Sequence, residues 1–347
     1  MAPHRVVRGW GTLNQLAPWV ASLGSAPLVI GGKHTLERFS LRIQGRYESY
    51  GADCTEASAA RLLACSHGCD VVVGIGGGKA LDMAKLVAYR AGLPVITVPT
   101  SAATCAGWAA LSNIYSDTGE WQYGIELSSV PQGILIDYAV IATAPQRTLV
   151  SGMGDALAKW YESSVSSGTS DDPLVISAVQ QARVLRDLIL QHGEAALQSP
   201  GSSAWVQMVD ASLCLAGLVG GLGGARCRTV AAHAIHNALT GLPGTRSTLH
   251  GEKVAFGILV QLRLEETVGQ QRLAGIARQQ LEQFYRRIGL PLTLQDLHFG
   301  ELSQQQLFQV AQDCCKVGSD IHYLPFEVTP EQVFSVLQES LISLSRF

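Results

Sequence analysis

The chain has 347 residues, 47% of them hydrophobic and 15% charged, with a net charge of −3 and a mean hydropathy of +0.19. That length and apolar share can fill a large core and predict two domains, while the small negative charge, with no clustered Lys/Arg stripe, removes the electrostatic footprint of nucleic-acid binding. The longest weakly polar run, Leu213 to Ala225, is short and holds five glycines, so no membrane-spanning segment is expected. The first ten residues lack the apolar core of a secretory signal, and the eight cysteines show no dense pairing pattern. Cys65/Cys69 and the Cys314-Cys315 pair lack partners at metal-site spacing and read as plain thiols, so a reduced, cytoplasmic setting is expected.

In chain order, Pro27–Gly32, Asp70–Gly76 and Pro94–Pro99 are β-rich runs that alternate with helical stretches, the pattern of a parallel sheet with crossover helices. Past residue 150 strand signals vanish. Helical spacing recurs over Asp172–Leu190, Ser203–Val219, Thr229–Leu239, Val254–Thr267, Arg272–Ile288 and Pro330–Ser345. The prediction is an α/β domain over 1–150 and an all-α domain over 151–347, with a ligand in the cleft where they meet.

Two constellations carry chemistry. Gly74-Ile75-Gly76-Gly77-Gly78-Lys79 ends a strand and opens a helix running on through Asp82, so backbone N–H groups and the positive helix end can cradle a pyrophosphate. It is no P-loop, because Val73 stands six before Lys79 and Ala80 follows it, and no ordinary Rossmann fingerprint, because Lys79 takes the third glycine position. A tight packing turn is the plainer alternative. The second constellation is Asp155, His233 and His250, one carboxylate and two imidazoles, a set that can hold a divalent metal and leave a position open. Taken singly, each has a structural alternative, such as a helix N-terminal role for Asp155 after Gly154. His236, three residues after His233 on the same predicted helix, is either a proton relay or a core hydrogen-bonding group.

Taken in order, Gly76-to-Asp82, Pro99-Thr100-Ser101-Ala102-Ala103-Thr104, Ser151-to-Ala158, Ala232-to-Asn237 and His250-Gly251-Glu252-Lys253 resemble the glycerol dehydrogenase-like branch of the iron-containing (group III) alcohol dehydrogenase superfamily. The resemblance runs over nearly the whole chain and implies a dinucleotide-binding α/β domain followed by an all-α domain, the architecture shared with dehydroquinate synthase. It implies NAD(P)(H) and one Zn²⁺ or Fe²⁺ held by Asp155, His233 and His250. It also implies that Gly76, Gly77, Gly78, Lys79 and Asp82 face the pyrophosphate and that Thr100, Ser101, Ala103, Leu111 and Tyr115 line the nicotinamide side. The expected partner is a small molecule, with neither nucleic acid nor membrane, and the expected assembly a homo-oligomer.

Two departures matter. Cys105 stands where the glycerol dehydrogenase pattern has an aspartate that holds the polyol, and Lys159, one turn after Asp155, and Arg228, five before His233, are cations suited to a substrate carboxylate. Thr104-to-Trp108, Gly154-to-Glu162 and Ile321-to-Pro325 resemble the hydroxycarboxylate dehydrogenase members of the same family, which reduce 2-oxo acids. The structural alternative for Lys159 is a helical pair with Glu162. Likewise, Gly32, with Lys33 and His34 beside it, replaces the strand-end aspartate that engages the adenosine ribose, so NADP is expected to be tolerated or preferred. The expected activity is reduction of 2-oxo acids or the reverse. Polyol or simple alcohol oxidation is the enzymatic alternative, and a catalytically silent dinucleotide or anion sensor the non-enzymatic one. A dehydroquinate synthase-type lyase needs more phosphate-binding cations than this segment holds.

Overall fold

The computed structural model describes residues 2–39 and 41–341. It divides into two compact units, Met1–Leu149 and Val150–Phe347.

The first unit is built on six parallel strands: β1 (Arg5–Gly9), β2 (Pro27–Gly31), β3 (Arg46–Ser49), β4 (Val71–Gly76), β5 (Val95–Pro99) and, last in chain order, β8 (Gly133–Asp137). Their spatial order is β1-β8-β5-β4-β2-β3. A separate antiparallel hairpin joins β6 (Leu111–Tyr115) and β7 (Trp121–Glu126). The connections carry α1 (Leu16–Ala21), α2 (Lys33–Arg38), α3 (Glu56–Cys65) and α4 (Gly78–Ala91), and α5 (Tyr138–Ile141) follows β8.

Every residue of β2, β4, β5 and β8 is buried, which is why their sequences run Val/Ile without alternation. Leu28, Ile30 and Val72 pack with Leu62 of α3 and Met83, Leu86 and Val87 of α4, whereas Val29, Val71, Val73 and Ile75 pack on the other face with Leu16, Trp19 and Val20 of α1. Asp137, 2% exposed, ends β8 and accepts from Gly11 N, Leu13 N and Ala139 N, tying the turn after β1 to the sheet.

The chain leaves β2 in one direction to β3 and returns on the other side to β4, so the strand order reverses between β2 and β4. Ligands of open parallel sheets bind outside the carboxyl ends of the strands at such a reversal. Here those ends are Gly31-Gly32 and Gly76-Gly77.

Helices make up the second unit: α6 (Gln146–Ser167), α7 (Pro173–Gln198), α8 (Ser203–Asp210), α9 (Ala216–Gly223), α10 (Ala231–Leu239), α11 (His250–Thr267), α12 (Arg272–Ile288), α13 (Gln304–Cys314) and α14 (Pro330–Glu339). The predicted extension of the last helix to Ser345 lies outside the described residues. The main core joins α10, α11, α13 and α14 through Ile235, Leu239, Phe256, Val260, Leu307 and Leu337.

One expectation is corrected. A five-residue π-helical segment, Ala211–Leu215, fuses α8 and α9 into a 21-residue run, Ser203–Gly223, with a mean hydropathy of 1.5 over its most apolar window. By length and composition this run could cross a membrane, although half of that window is buried inside the unit. The sequence reading began its apolar run at Leu213. The helix continues through Asp210 instead, adding Trp205, Met208 and Val209 to the apolar length.

Candidate metal centre and nucleotide cradle

Asp155, Lys159 and Glu162 occupy i, i+4 and i+7 of α6 and therefore share one face. Asp155 is an interior residue of that helix, which removes the N-terminal alternative. His233 and His236 lie on α10, and His250 is the first residue of α11.

Missing side chains bring these helices together. A Cβ added to Gly251 would stand 1.8 Å from Ser151 O, one on Gly154 2.6 Å from Gly251 O, and one on Gly257 2.3 Å from Ala232 O. Backbone thus touches backbone where α11 crosses α6 and α10. Gly251 N donates to Ser151 Oγ at 3.1 Å, and the Glu252 carboxylate accepts from Leu249 N at 2.7 Å, fixing where α11 and its leading His250 begin. Lys253, 4% exposed, donates to Thr245 O, Thr248 O and Thr248 Oγ1 and so ties down the preceding turn.

The result is a compact donor set. His233 Nε2 and His250 Nε2 each lie 3.5 Å from Asp155 Oδ1, and the three ligand atoms fall within 4.8 Å of one another. Asp155 Oδ1 is buried without a hydrogen-bond partner. A buried carboxylate oxygen that accepts no hydrogen bond, with two imidazole nitrogens and the Lys159 ammonium each 3.5 Å away, fits a divalent cation. No second such group of His, Cys, Asp and Glu occurs among the described residues. The His250 side chain is 28% exposed against 8% for His233 and 5% for Asp155, so it marks the reachable side.

Charge around the triad is ordered. Burial would raise the Asp155 carboxyl, but the Lys159 ammonium 3.5 Å away and the two imidazoles outweigh it and hold it well below the ordinary carboxylate range. Burial would likewise lower His233, yet Glu162, whose Oε2 lies 2.6 Å from His233 Nδ1, pushes it up to about 9. His250 is lowered, mainly by burial and the cations around it. His236 is pushed well down by burial, His250 and Lys253, and is neutral near pH 7. Its Nδ1 lies 2.9 Å from Asn237 Oδ1, and its ring centre is 4.2 Å from that of His250.

The Lys159 Nζ lies 3.5 Å from Asp155 Oδ1 and donates to Arg228 O at 3.4 Å. Arg228 is half-buried with its aliphatic stem against Gly220, and Asp320, raised by burial, feels both Arg228 and His233. Glu162 is the site residue that sequence reasoning missed: it was weighed only as a partner for Lys159, although its spacing of seven from Asp155 already placed it on the same face.

In the first unit, Gly76 adopts φ +147° and a Cβ there would meet Ala80 Cβ at 2.8 Å, while a Cβ on Gly74 would meet Ala84 Cβ at 2.5 Å. Glycine is thus required for α4 to leave β4 tightly and lie on it. Gly77 is exposed and Gly78 opens α4. Thr100 N bonds Gly76 O at 3.0 Å, and Ser101 and Ala103 follow on the same half-buried turn, which brings the two predicted cofactor segments side by side. Lys79 pairs with Asp53 and lies 4.6 Å over the Tyr115 ring. Asp82 turns inward: 5% exposed, its carboxylate lies 3.0 Å from Lys85 Nζ and accepts from Asn113 N, while Lys85 also donates to Leu111 O. Cys105 begins the short turn after Thr104 and is half-buried, and all eight cysteines are free thiols. Gly32 precedes α2, and a Cβ there would meet nothing nearer than Tyr50 Cε1 at 3.6 Å.

The model of the iron-containing alcohol dehydrogenase family matches residues 3–138. The chain is 50% identical to an uncharacterised oxidoreductase of Synechocystis sp., over 99% of this chain and 91% of the relative. It is 40% identical to hydroxycarboxylate dehydrogenase A of Escherichia coli over 80% of this chain and 77% of the relative, and 36% identical to glycerol dehydrogenase of Pseudomonas putida over 97% and 95%. Among solved structures, a probable glycerol dehydrogenase from Sinorhizobium meliloti superposes with a TM-score of 0.90 at 30% identity, covering 98% of this chain and 97% of that one.

Proposed function

Because this chain belongs to the iron-containing alcohol dehydrogenase family, enzymes that act with NAD(P) on CH–OH groups, we propose that Asp155, His233 and His250 hold its divalent cation and that the turn after β4 holds its dinucleotide. The observation that carries this is the buried Asp155 Oδ1, which accepts no hydrogen bond and lies 3.5 Å from two imidazole nitrogens. When bound, such a cation polarises a carbonyl or lowers an alcohol pKa, and nicotinamide exchanges the hydride. The protein's own part is to keep Asp155 ionised through Lys159, to hold His233 through Glu162, and to keep His236 neutral beside His250, where it can pass the substrate proton.

A small polyol or alcohol is the first substrate reading, supported by the relatives named glycerol dehydrogenase. The second, a 2-oxo acid, is supported by Cys105 in place of the polyol aspartate, by the Lys159 ammonium beside Asp155, and by the hydroxycarboxylate dehydrogenase relative. Glycerol, simple alcohols and 2-oxo acids, followed at the nicotinamide absorbance with Zn²⁺ and Fe²⁺ supplied separately, separate the two. In the second reading, Lys159→Met costs about tenfold or more in kcat/KM for the acid beyond the loss it causes for a neutral aldehyde through Asp155. Equal losses on both would mean that Lys159 serves Asp155 alone, and the polyol reading would then stand.

For the coenzyme, the strand-end Gly32 beside Lys33 and His34 supports tolerance of NADP. The space around Gly32 admits a side chain. Gly32→Asp should therefore shift the ratio of NAD to NADP efficiencies about tenfold or more toward NAD, by adding a ribose acceptor and repelling a 2′-phosphate. An unchanged ratio would mean that this strand end does not read the phosphate.

A further inference from the structure

We propose that Glu162 is a positioning residue that sets the tautomer of His233, forcing the imidazole proton onto Nδ1 and turning a bare Nε2 toward Asp155. The inference rests on the reading of Asp155, His233 and His250 as cation ligands. Glu162 is fully buried, and both of its oxygens are committed. Oε1 accepts from Val230 N at 2.7 Å and from His233 N at 2.9 Å, at the start of α10, where Val230 supplies no side-chain cap. A carboxylate from a different helix thus satisfies two of the orphan N–H groups of α10 and meets the positive end of its dipole. Oε2 lies 2.6 Å from His233 Nδ1.

The division of labour between the two oxygens carries the argument. A carboxylate only accepts, so the ring nitrogen facing it must carry the hydrogen. In the neutral ring, the form that can bind a cation, the opposite nitrogen, Nε2, is then the one with a lone pair, and it is the one 3.5 Å from Asp155 Oδ1. Outer carboxylates of this kind orient metal-binding imidazoles, and their loss costs 10–100-fold in metal affinity.

Glu162→Gln tests this with almost no change of shape. The two backbone donors need an oxygen, so the glutamine carbonyl has to replace Oε1, and its NH₂ group is left facing His233 Nδ1. A donor there requires Nδ1 to accept, which moves the imidazole proton to Nε2, where it points at Asp155. The full-length variant is expected to keep the cap and to melt close to the wild type, yet to bind Zn²⁺ about 10–100-fold more weakly in competition with a chromophoric chelator. ¹⁵N NMR of the metal-free proteins, recorded across a pH series and read where the ring shifts themselves report a neutral imidazole, is expected to show the proton on Nδ1 in the wild type and on Nε2 in the variant. A purely structural Glu162 would leave that signature unmoved. Wild-type zinc affinity in the variant, or Nε2–H already in the wild-type protein, overturns the inference. The wild-type measurement decides it even if the variant folds poorly. Wild-type protein that takes up no Zn²⁺ overturns the inference together with the metal reading, whereas wild-type uptake with unchanged uptake by the variant overturns the role of Glu162 alone.

Discussion

His250→Ala is expected to lower kcat/KM by about a thousandfold or more, because losing one of three ligands removes a cation contribution of several kcal/mol to the barrier. This position isolates chemistry from folding better than the other two. Its side chain is 28% exposed and its ring leads α11 from the first turn, where truncation opens no sealed cavity. His233→Ala should inactivate equally and also destabilise the fold, since it strips the imidazole from the fully buried Glu162; breaking a buried pair of this kind costs about 3 kcal/mol or more. Metal content, turnover and thermal melts of the two variants read this difference directly. Activity of His250→Ala within tenfold of the wild type would sink the metal-dependent reading.

Gly251→Ala should be the most damaging single-methyl change in the second unit. The added Cβ would sit 1.8 Å from Ser151 O, a backbone atom inside α6 that has no rotamer to yield. One helix must therefore move, at a cost of about 3 kcal/mol, and the motion separates His250 from Asp155. Chemical denaturation should show the loss of stability and zinc titration the loss of affinity. Gly32→Ala, which meets nothing within 3.6 Å, is the control expected to stay within about 1 kcal/mol. Gly251→Ala with wild-type stability would mean that the helix crossing is looser than these contacts require.

The glycine turn was legible because its signals are local: a Val/Ile run, successive glycines and a helix start leave few other structures to form. Asp155, His233 and His250 lie far apart in the chain and were singled out by residue type and by the family resemblance, not by local spacing. Arg272–Ile288 was readable to the residue, since Gly289 in a left-handed conformation ends α12 sharply. β1 and β3 were not, because these edge strands carry Arg, Tyr and Glu on short, largely exposed runs that lack the signature of burial on both faces. α6 was obscured by Gly152 and Gly154, which lower helix propensity; Gly154 is kept for the crossing with α11. What Lys159 and Glu162 each face is set by geometry that local spacing does not carry. Helical side chains lean toward the N-terminus, so Lys159 reaches back four residues to Asp155, while Glu162 is drawn to the open end of α10 by three donors from another part of the chain. Tertiary pairings of this kind leave no trace in local spacing.

The glycine crossings also bear on how such an enzyme diversifies. Side-chain interfaces drift as residues are exchanged for others of similar volume, and the helices they join slide with them. An interface of bare backbone has no such intermediates, because a substitution at Gly154, Gly251 or Gly257 collides with a carbonyl, either directly or through a displaced helix. Selection can therefore rework side chains such as Arg228, proposed above to suit a substrate carboxylate, while the spacing of the three donors stays constant. New specificities would arise on this scaffold by repainting the pocket wall, with the reactive centre handed down unaltered.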